Sequence, residues 1–326
     1  LENTGVKFPS KKALTIFAEH GASVDYDTQI VKINRDLIFK AMSSVPRYFT
    51  LGGRDAEVDL HLQDGVSYFT TDGCGHNVVD FTTGKQRPST KVDVAMMARI
   101  GNYLSSISFS WTMVSAQDCG VTAPLHELDA IWKNSIKHAQ SVTMMGEKQC
   151  RYGVEMATVL RGSLEEVRRR PPISLIVCTI APLVQDKEAI EGALVLGEAG
   201  IPIAIMSMPT LGTTAPATYA GALVVGDAEV ISATVLMQLA NPGAPVFYSI
   251  LHAWADPRNA AYVGYPLDSR VRYAPVEMAH HWGMPALGGA FGTESPDLAS
   301  WQSSAEVAID PFLVALSGAE IVTGIG

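Results

Sequence analysis

The stretch Ile201–Ser249, IPIAIMSMPTLGTTAPATYAGALVVGDAEVISATVLMQLANPGAPVFYS, carries a strand, a loop, a helix, a turn and a second strand. Ile201 to Met208 is a short apolar run led by β-branched residues, as in a strand buried on both faces. Pro209 to Ala215 holds a proline, a glycine and three threonines, and Thr214-Ala-Pro216 offers an N-cap followed by proline in the first turn. Apolar and small residues then run to Asn241-Pro242-Gly243, which ends the helix, and Val246 to Leu251 is β-prone again. Two buried strands joined by a helix make a βαβ unit, which implies parallel pairing.

One residue of that helix is out of place. Glu229 sits among Leu223, Val224, Val225, Val230 and Ile231, where a carboxylate is costly unless it is paired or hydrogen-bonded. Two readings stand: a group facing solvent or bonded to backbone near Gly226, or a carboxylate aimed into a cavity to meet a cation.

Outward from this unit the rhythm repeats. Strands are predicted at Val66–Phe69, Ile107–Val114, Ser141–Met144, Ile173–Thr179, Pro202–Met208, Pro245–Ile250, Pro285–Gly289 and Glu320–Thr323. Helices are predicted over about 90–104, 124–138, 147–161, 186–199, 215–239, 270–283 and 303–317. Eight strands alternating with helices give the α/β class and a (β/α)8 TIM barrel. Residues 1–65, with a helix over Ser10–His20, a strand over Ile30–Ile33 and a helix over Arg35–Ser43, form an N-terminal helical and strand cap. Residues 66–326 form the barrel, whose closing helix and C-terminal region are absent, so the chain reads as truncated there.

Composition narrows the function. The 326 residues are 47% hydrophobic and 17% charged, with mean hydropathy +0.15, enough for a large core. A net charge of −9 argues against nucleic acid and anionic membranes as partners. The 215–240 helix comes nearest to a membrane span, but Asp227, Glu229 and Gln238 interrupt it. Cys74, Cys119, Cys150 and Cys178 lie far apart, as in a reduced cytoplasmic protein with neither disulfide framework nor zinc site. His280-His281 point to different sides of a helix, and no metal site is expected.

In such barrels chemistry sits at the C-terminal ends of the strands. Here those ends are rich in methionine, aromatic residues and carboxylates, and hold no lysine or arginine. That suits a compact methylated cation, which is attracted to aromatic faces. Tyr68, Phe69, Trp111, Tyr219, Tyr248, Trp254, Phe291 and Trp301 lie near strand ends; most aromatics at strand positions are core, so a few of these line a site. Asp72 precedes a glycine and is either a turn residue or a counter-charge. His252 is either a hydrogen-bonded rim residue or a ligand contact. The candidates carried forward are Glu229 and Asp72 as catalytic carboxylates, with Tyr68, Met208, Thr210, Tyr219, Tyr248, His252, Trp254 and Phe291 as substrate contacts.

PTLGTTAPATYAGAL, DAEV and LMQLANPGAPVFYS in the central stretch resemble the trimethylamine methyltransferase family. So do TTGKQRPSTKVDVAMMARIGNYL, LHELDAIWKNSIKH, IAPLVQDKEAIEGALVLGEAGIP and DLASWQSSAEVAIDPFLVALSGAEIVTGIG, in order. The resemblance implies transfer of a methyl group from a methylated amine to a corrinoid protein. It implies no tightly bound cofactor, since the cobalamin is carried by that partner. Some members carry pyrrolysine in the region resembling Gly292 to Asp297. Here it reads Thr293-Glu294-Ser295-Pro296-Asp297, so the likeness is to the pyrrolysine-free branch, which includes glycine betaine methyltransferases. A quaternary amine already leaves as a neutral tertiary amine, so no special electrophile is needed. A homo-oligomer is expected.

Two rivals remain. The loop Gly288–Glu294 sits where many barrels bind phosphate, which would mean an enzyme acting on a phosphorylated or carboxylated small molecule. The other is a non-catalytic relative binding a betaine or a corrinoid protein.

Overall fold

Eight short parallel strands, each followed by a helix up to the last, organise the molecule. The computed structural model describes residues 1–263, 270–289, 292–295, 297 and 300–325. The strands are β1 Tyr68–Thr71, β2 Ser110–Trp111, β3 Ala139–Ser141, β4 Ile173–Ile180, β5 Ile203–Ser207, β6 Val246–Ile250, β7 Leu287–Gly289 and β8 Ile321–Ile325. The helices between them are α1 Lys91–Tyr103, α2 Ala123–Asn134, α3 Gly146–Arg161, α4 Lys187–Glu198, α5 Tyr219–Ala240, α6 Arg270–His281 and α7 Trp301–Leu316. Parallel ladders join β2 to β3, β3 to β4, β4 to β5, β5 to β6, β7 to β8 and β8 to β1. Single parallel pairs, Thr70 with Phe109 and Tyr248 with Ala286, join β1 to β2 and β6 to β7. The result is a mixed α/β, barrel-like arrangement.

Side chains alternate between two cores because successive strand residues point to opposite faces. Phe109, Ile176, Ala204, Met206, Phe247, Leu287 and Ile321 form the inner core, and Tyr68, Trp111, Val142, Cys178 and Leu251 pack on it partly exposed. Ile173, Leu175, Val177, Ile203, Ile205, Val246, Tyr248 and Ile250 face outward, into the core shared with the helices.

The helix α5 explains the opening stretch. Its 22 residues have mean hydropathy 1.6 over the most apolar window, and it is the one described helix long and apolar enough to cross a membrane. Here it is buried instead, against β5 and β6 on one side and the N-terminal helices Lys11–Glu19 and Arg35–Met42 on the other. It starts four residues later than expected. Thr218, not Thr214, caps it by accepting from the Gly221 amide. Thr214 instead accepts from the Thr210 amide. Thr210–Leu211 has become a strand pairing with Ala253–Ala255, which in turn pairs with Tyr262–Val263. This small sheet stands beyond the ends of β5 and β6.

Two further departures concern boundaries. The third strand is Ala139–Ser141 rather than Ser141–Met144, and α2 stops at Asn134 because Ser135 is already extended. Arg170 makes a bidentate ion pair with Asp59. It ties the start of β4 to the hairpin Thr50–Leu51 and Leu60–His61. That hairpin covers the N-terminal ends of the strands, with Leu51, Leu60 and Leu62 inserted into the inner core. Strands Val6–Lys7, Ser23–Asp25 and Ile30–Lys32 join the other end, through Val184–Gln185 after β4.

Candidate active site

Apart from Tyr68 beneath the covering hairpin, solvent reaches the described inner face toward the C-terminal ends of the strands. Inward Thr70, Gln140, Ala204 and Leu287 are buried, whereas Trp111, Met113, Val142, Cys178 and Leu251 are part-exposed, Asp72 is exposed, and Met208 is 40% exposed. These residues surround a mouth of sulfur, aromatic and aliphatic surface. Asp72 is the one carboxylate at the described inward positions, and no lysine or arginine is among them. Its Oδ1 accepts from the Gly73 amide at 2.8 Å. The side chain is accessible yet sits in a concavity, and desolvation there raises its pKa from the ordinary aspartate value.

Trp111 forms the floor. Gly73 lies against its indole so closely that a Cβ would fall 2.2 Å from Cε2, which explains why the residue after Asp72 is glycine. The next residue, Cys74, has φ of +68°. Burial, with neighbouring Glu127, Cys178 and Asp72 adding to it, pushes the Cys74 thiol up to about 12, so it stays protonated.

The other predicted residues fall into separate places. Tyr68 lies at the opposite end of its strand, where its hydroxyl donates to the His61 carbonyl in the covering hairpin; it is no mouth residue. Tyr248 faces outward, the wrong side of its strand, and its hydroxyl donates to Asp227 Oδ1 at 2.8 Å. Trp282 Nε1 donates to the same oxygen at 2.9 Å, fixing α5 to β6 and to the end of α6. His252 is also buried outside the inner core, its ring 5.1 Å edge-on from Tyr219. Burial, with the Arg272 charge adding to it, holds its pKa down at about 4. Tyr219 itself donates to the Arg270 carbonyl. Thr210 and Trp254 belong to the small sheet beyond β5 and β6. Phe291 lies outside the described residues. Asp72 and Met208 are thus the predicted residues at the mouth, and they are joined there by Trp111, Met113, Cys178, Met206 and Leu251. The missed signal was parity: once Phe247 is known to point inward, Ser249 and Leu251 follow and Tyr248 is excluded.

Glu229 requires the largest correction. It is fully buried, but between α5 and the outer face of β4 and β5. Ser207 Oγ donates to Oε2 at 2.6 Å, the Leu183 amide donates to Oε1 at 2.7 Å, and Thr179 Oγ1 also donates to Oε2. Three donors satisfy the carboxylate, and it fastens the ends of two neighbouring strands to the helix. Glu127 on α2 repeats the device, accepting from Ser115 Oγ, the Ala116 amide and Thr143 Oγ1 beyond β2 and β3.

The glycine-rich loop loses its case as a phosphate cradle. Gly288 packs against Val314 and Gly289 against Leu251, so both glycines are explained by close contact. Beyond them, Thr293 Oγ1 and the Glu294 amide donate to Glu306 on α7. A carboxylate thus occupies donors that an anion would need. Among the described residues, no three histidines, cysteines or carboxylates are placed to hold a metal. A groove of about 560 Å³ lies between α2 and α3, lined by Leu125, Trp132, Tyr152 and Met156, on the outside and away from the strand ends.

Comparison with known proteins agrees with this layout. The trimethylamine methyltransferase family model matches residues 1–324. Trimethylamine methyltransferase MttB of Desulfitobacterium hafniense (strain DSM 10664 / DCB-2) is 33% identical over 330 residues, covering 100% of this chain and 66% of the relative. Glycine betaine methyltransferase of Desulfitobacterium hafniense (strain Y51) is 26% identical over 294 residues, covering 89% of this chain and 60% of the relative. The chain spans about two thirds of the length of the curated relatives it matches. The solved structure of the monomethylamine methyltransferase MtmB of Methanosarcina barkeri superposes with a TM-score of 0.54 at 14% identity, over 100% of this chain and 71% of that one. That likeness concerns the fold alone.

Proposed function

The chain belongs to the trimethylamine methyltransferase family, and from that premise we propose that it takes a methyl group from a quaternary amine and delivers it to the Co(I) of a separate corrinoid protein. We read the succession of strand pairs as a closed (β/α)8 barrel whose mouth is the site. With the strands tilted and alternate strands supplying each layer, Trp111, Ile176, Ser249 and Thr323 share one layer. Asp72, Val142, Met206 and Gly289 form the next toward solvent, and Met113, Cys178 and Leu251 stand above them.

The observation that carries this reading is Asp72. It is the sole charged side chain on the described inward faces, set among methionine, tryptophan and cysteine at the open end. A quaternary ammonium has no N–H and cannot donate a strong hydrogen bond, so it is held by a counter-charge and by polarisable and aromatic surface. Transfer needs no acid or base. The electron pair of Co(I) forms the new bond to the methyl carbon, the N–C bonding pair stays on nitrogen, and a neutral tertiary amine leaves. The protein's part is to orient one methyl toward the mouth and to exclude water. Glu229 acts at one remove, by holding the loops after β4 and β5. Glycine betaine, after which one relative is named, is one of the quaternary amines to try.

The test incubates the protein with glycine betaine and reduced cobalamin and follows Co(I) to methyl-Co(III) by absorbance. Conversion with an equal amount of dimethylglycine supports the proposal. No conversion with any of several quaternary amines refutes it.

A further inference from the structure

Below Asp72, three buried polar atoms on the inner face have no hydrogen-bond partner: Trp111 Nε1, Ser249 Oγ and Gln140 Oε1. Ser249 is 1% exposed and Gln140 is fully buried. Gln140 is the register partner of Trp111 in the β2–β3 ladder, and Ser249 is the partner of Met206 in the β5–β6 ladder. Unsatisfied buried groups cost roughly 1–3 kcal/mol each, so three within neighbouring layers of one lumen call for something that fills them. They differ in what they ask. The indole can only donate, and the amide oxygen, whose Nε2 already donates to Ser174, can only accept. The serine hydroxyl can do either.

Resting on the quaternary-amine reading, we infer that the amine's tail ends in an uncharged hydroxyl, as in choline, and not in a carboxylate. A hydroxyl accepts from Trp111 Nε1 or Ser249 and donates to Gln140 Oε1, so it can serve a donor and the acceptor together. A carboxylate only accepts. It would face Gln140 Oε1 unpaired and would bury a negative charge one layer beneath Asp72, with no cation at the described inward positions. Burying a charge without a partner is the costlier choice. The buried cation on α6, Arg272, is held bidentately by Asp310 on α7. Distance fits as well. Adjacent layers differ by about one residue rise, roughly 3.3 Å, the reach of a two-carbon tail.

The experiment titrates choline, glycine betaine and tetramethylammonium into the protein by calorimetry, with Ser249→Ala alongside. Choline is expected to bind at least tenfold more tightly than glycine betaine. Ser249→Ala should weaken choline about three- to tenfold more than it weakens tetramethylammonium, the range of one hydrogen bond. Tighter binding of glycine betaine, or an equal loss for both ligands in Ser249→Ala, overturns the tail assignment and leaves the quaternary-amine reading standing. Binding of none of the three overturns the assignment together with the reading it rests on.

Discussion

Replacing Glu229 by alanine should be among the most destabilising single changes at the strand ends. The substitution removes an acceptor that takes three hydrogen bonds, from Thr179, Ser207 and the Leu183 amide. It leaves those donors inside a packed layer. Each orphaned donor costs about 1–3 kcal/mol, and partial relaxation or an entering water recovers some of it, so the net loss is about 4 kcal/mol. At roughly 2–4 °C per kcal/mol for a large domain, the melting temperature should fall by about 10 °C. Glu229→Gln keeps an acceptor for Leu183 and can donate to the two hydroxyls if they rotate, so about 1–2 kcal/mol is lost. Thermal unfolding followed by circular dichroism at neutral pH measures both variants. Calorimetric titration with a quaternary amine should find the affinity of Glu229→Gln within about threefold of the parent, because the carboxylate lies outside the mouth. An alanine variant that melts within about 2 °C of the parent would refute the fastening role. A glutamine variant that keeps its stability but loses ligand binding would return Glu229 to the site.

Asp72→Asn should weaken quaternary-amine binding at least tenfold by calorimetry. In the parent, affinity should be full above the raised Asp72 pKa and be lost as pH falls through it, at higher pH than for an ordinary carboxylate. His138 and His252 are buried and neutral, held down at about 3 and about 4, mainly by desolvation. Unfolded histidine takes a proton near 6.5, so stability should be complete above that pH. It should drain away below it, by about 2 kcal/mol per ring at pH 5, as urea unfolding at pH 7.5 and 5 would show. Gly73→Ala should displace Trp111, since a Cβ there meets the indole at 2.2 Å; tryptophan emission should shift and amine affinity drop several-fold. Arg272→Met leaves Asp310 buried without its bidentate partner and should cost about 3–5 kcal/mol, read by the same urea titration.

The alternation of strands and helices was legible because a strand buried on both faces is a run of apolar residues with a helix-length interval after it. What such a run hides is parity. In Val246–Ile250 every residue is buried, so nothing in the linear pattern separates inward Phe247 and Ser249 from outward Tyr248. The same blindness affects α5, apolar almost all round, where Glu229 stood out by type but its face could not be chosen. The positions of Asp72 and Met208 at the mouth are legible because they follow strand ends directly. In the sequence Trp111 is one aromatic among eight near strand ends, and Met206 and Gln140 carry no signal. Thr214 and Thr218 are equally good caps by composition; the choice fell to Thr218 because pairing of Thr210–Leu211 with Ala253–Ala255 claims the earlier segment.

The first fifty residues make their partners late. Ser10 donates to Glu191, and Ser44 donates to Gln238, 181 and 194 positions further on. A ribosome adding about 5–20 residues per second needs roughly 10–40 s to deliver those partners. Through that interval Phe8, Phe17, Leu37 and Met42, all buried in the finished molecule, have neither β4 nor α5 to cover them. The nascent chain therefore carries this apolar surface ahead of the segments that cover it, and its yield in a cell should depend on how well that surface is shielded during translation.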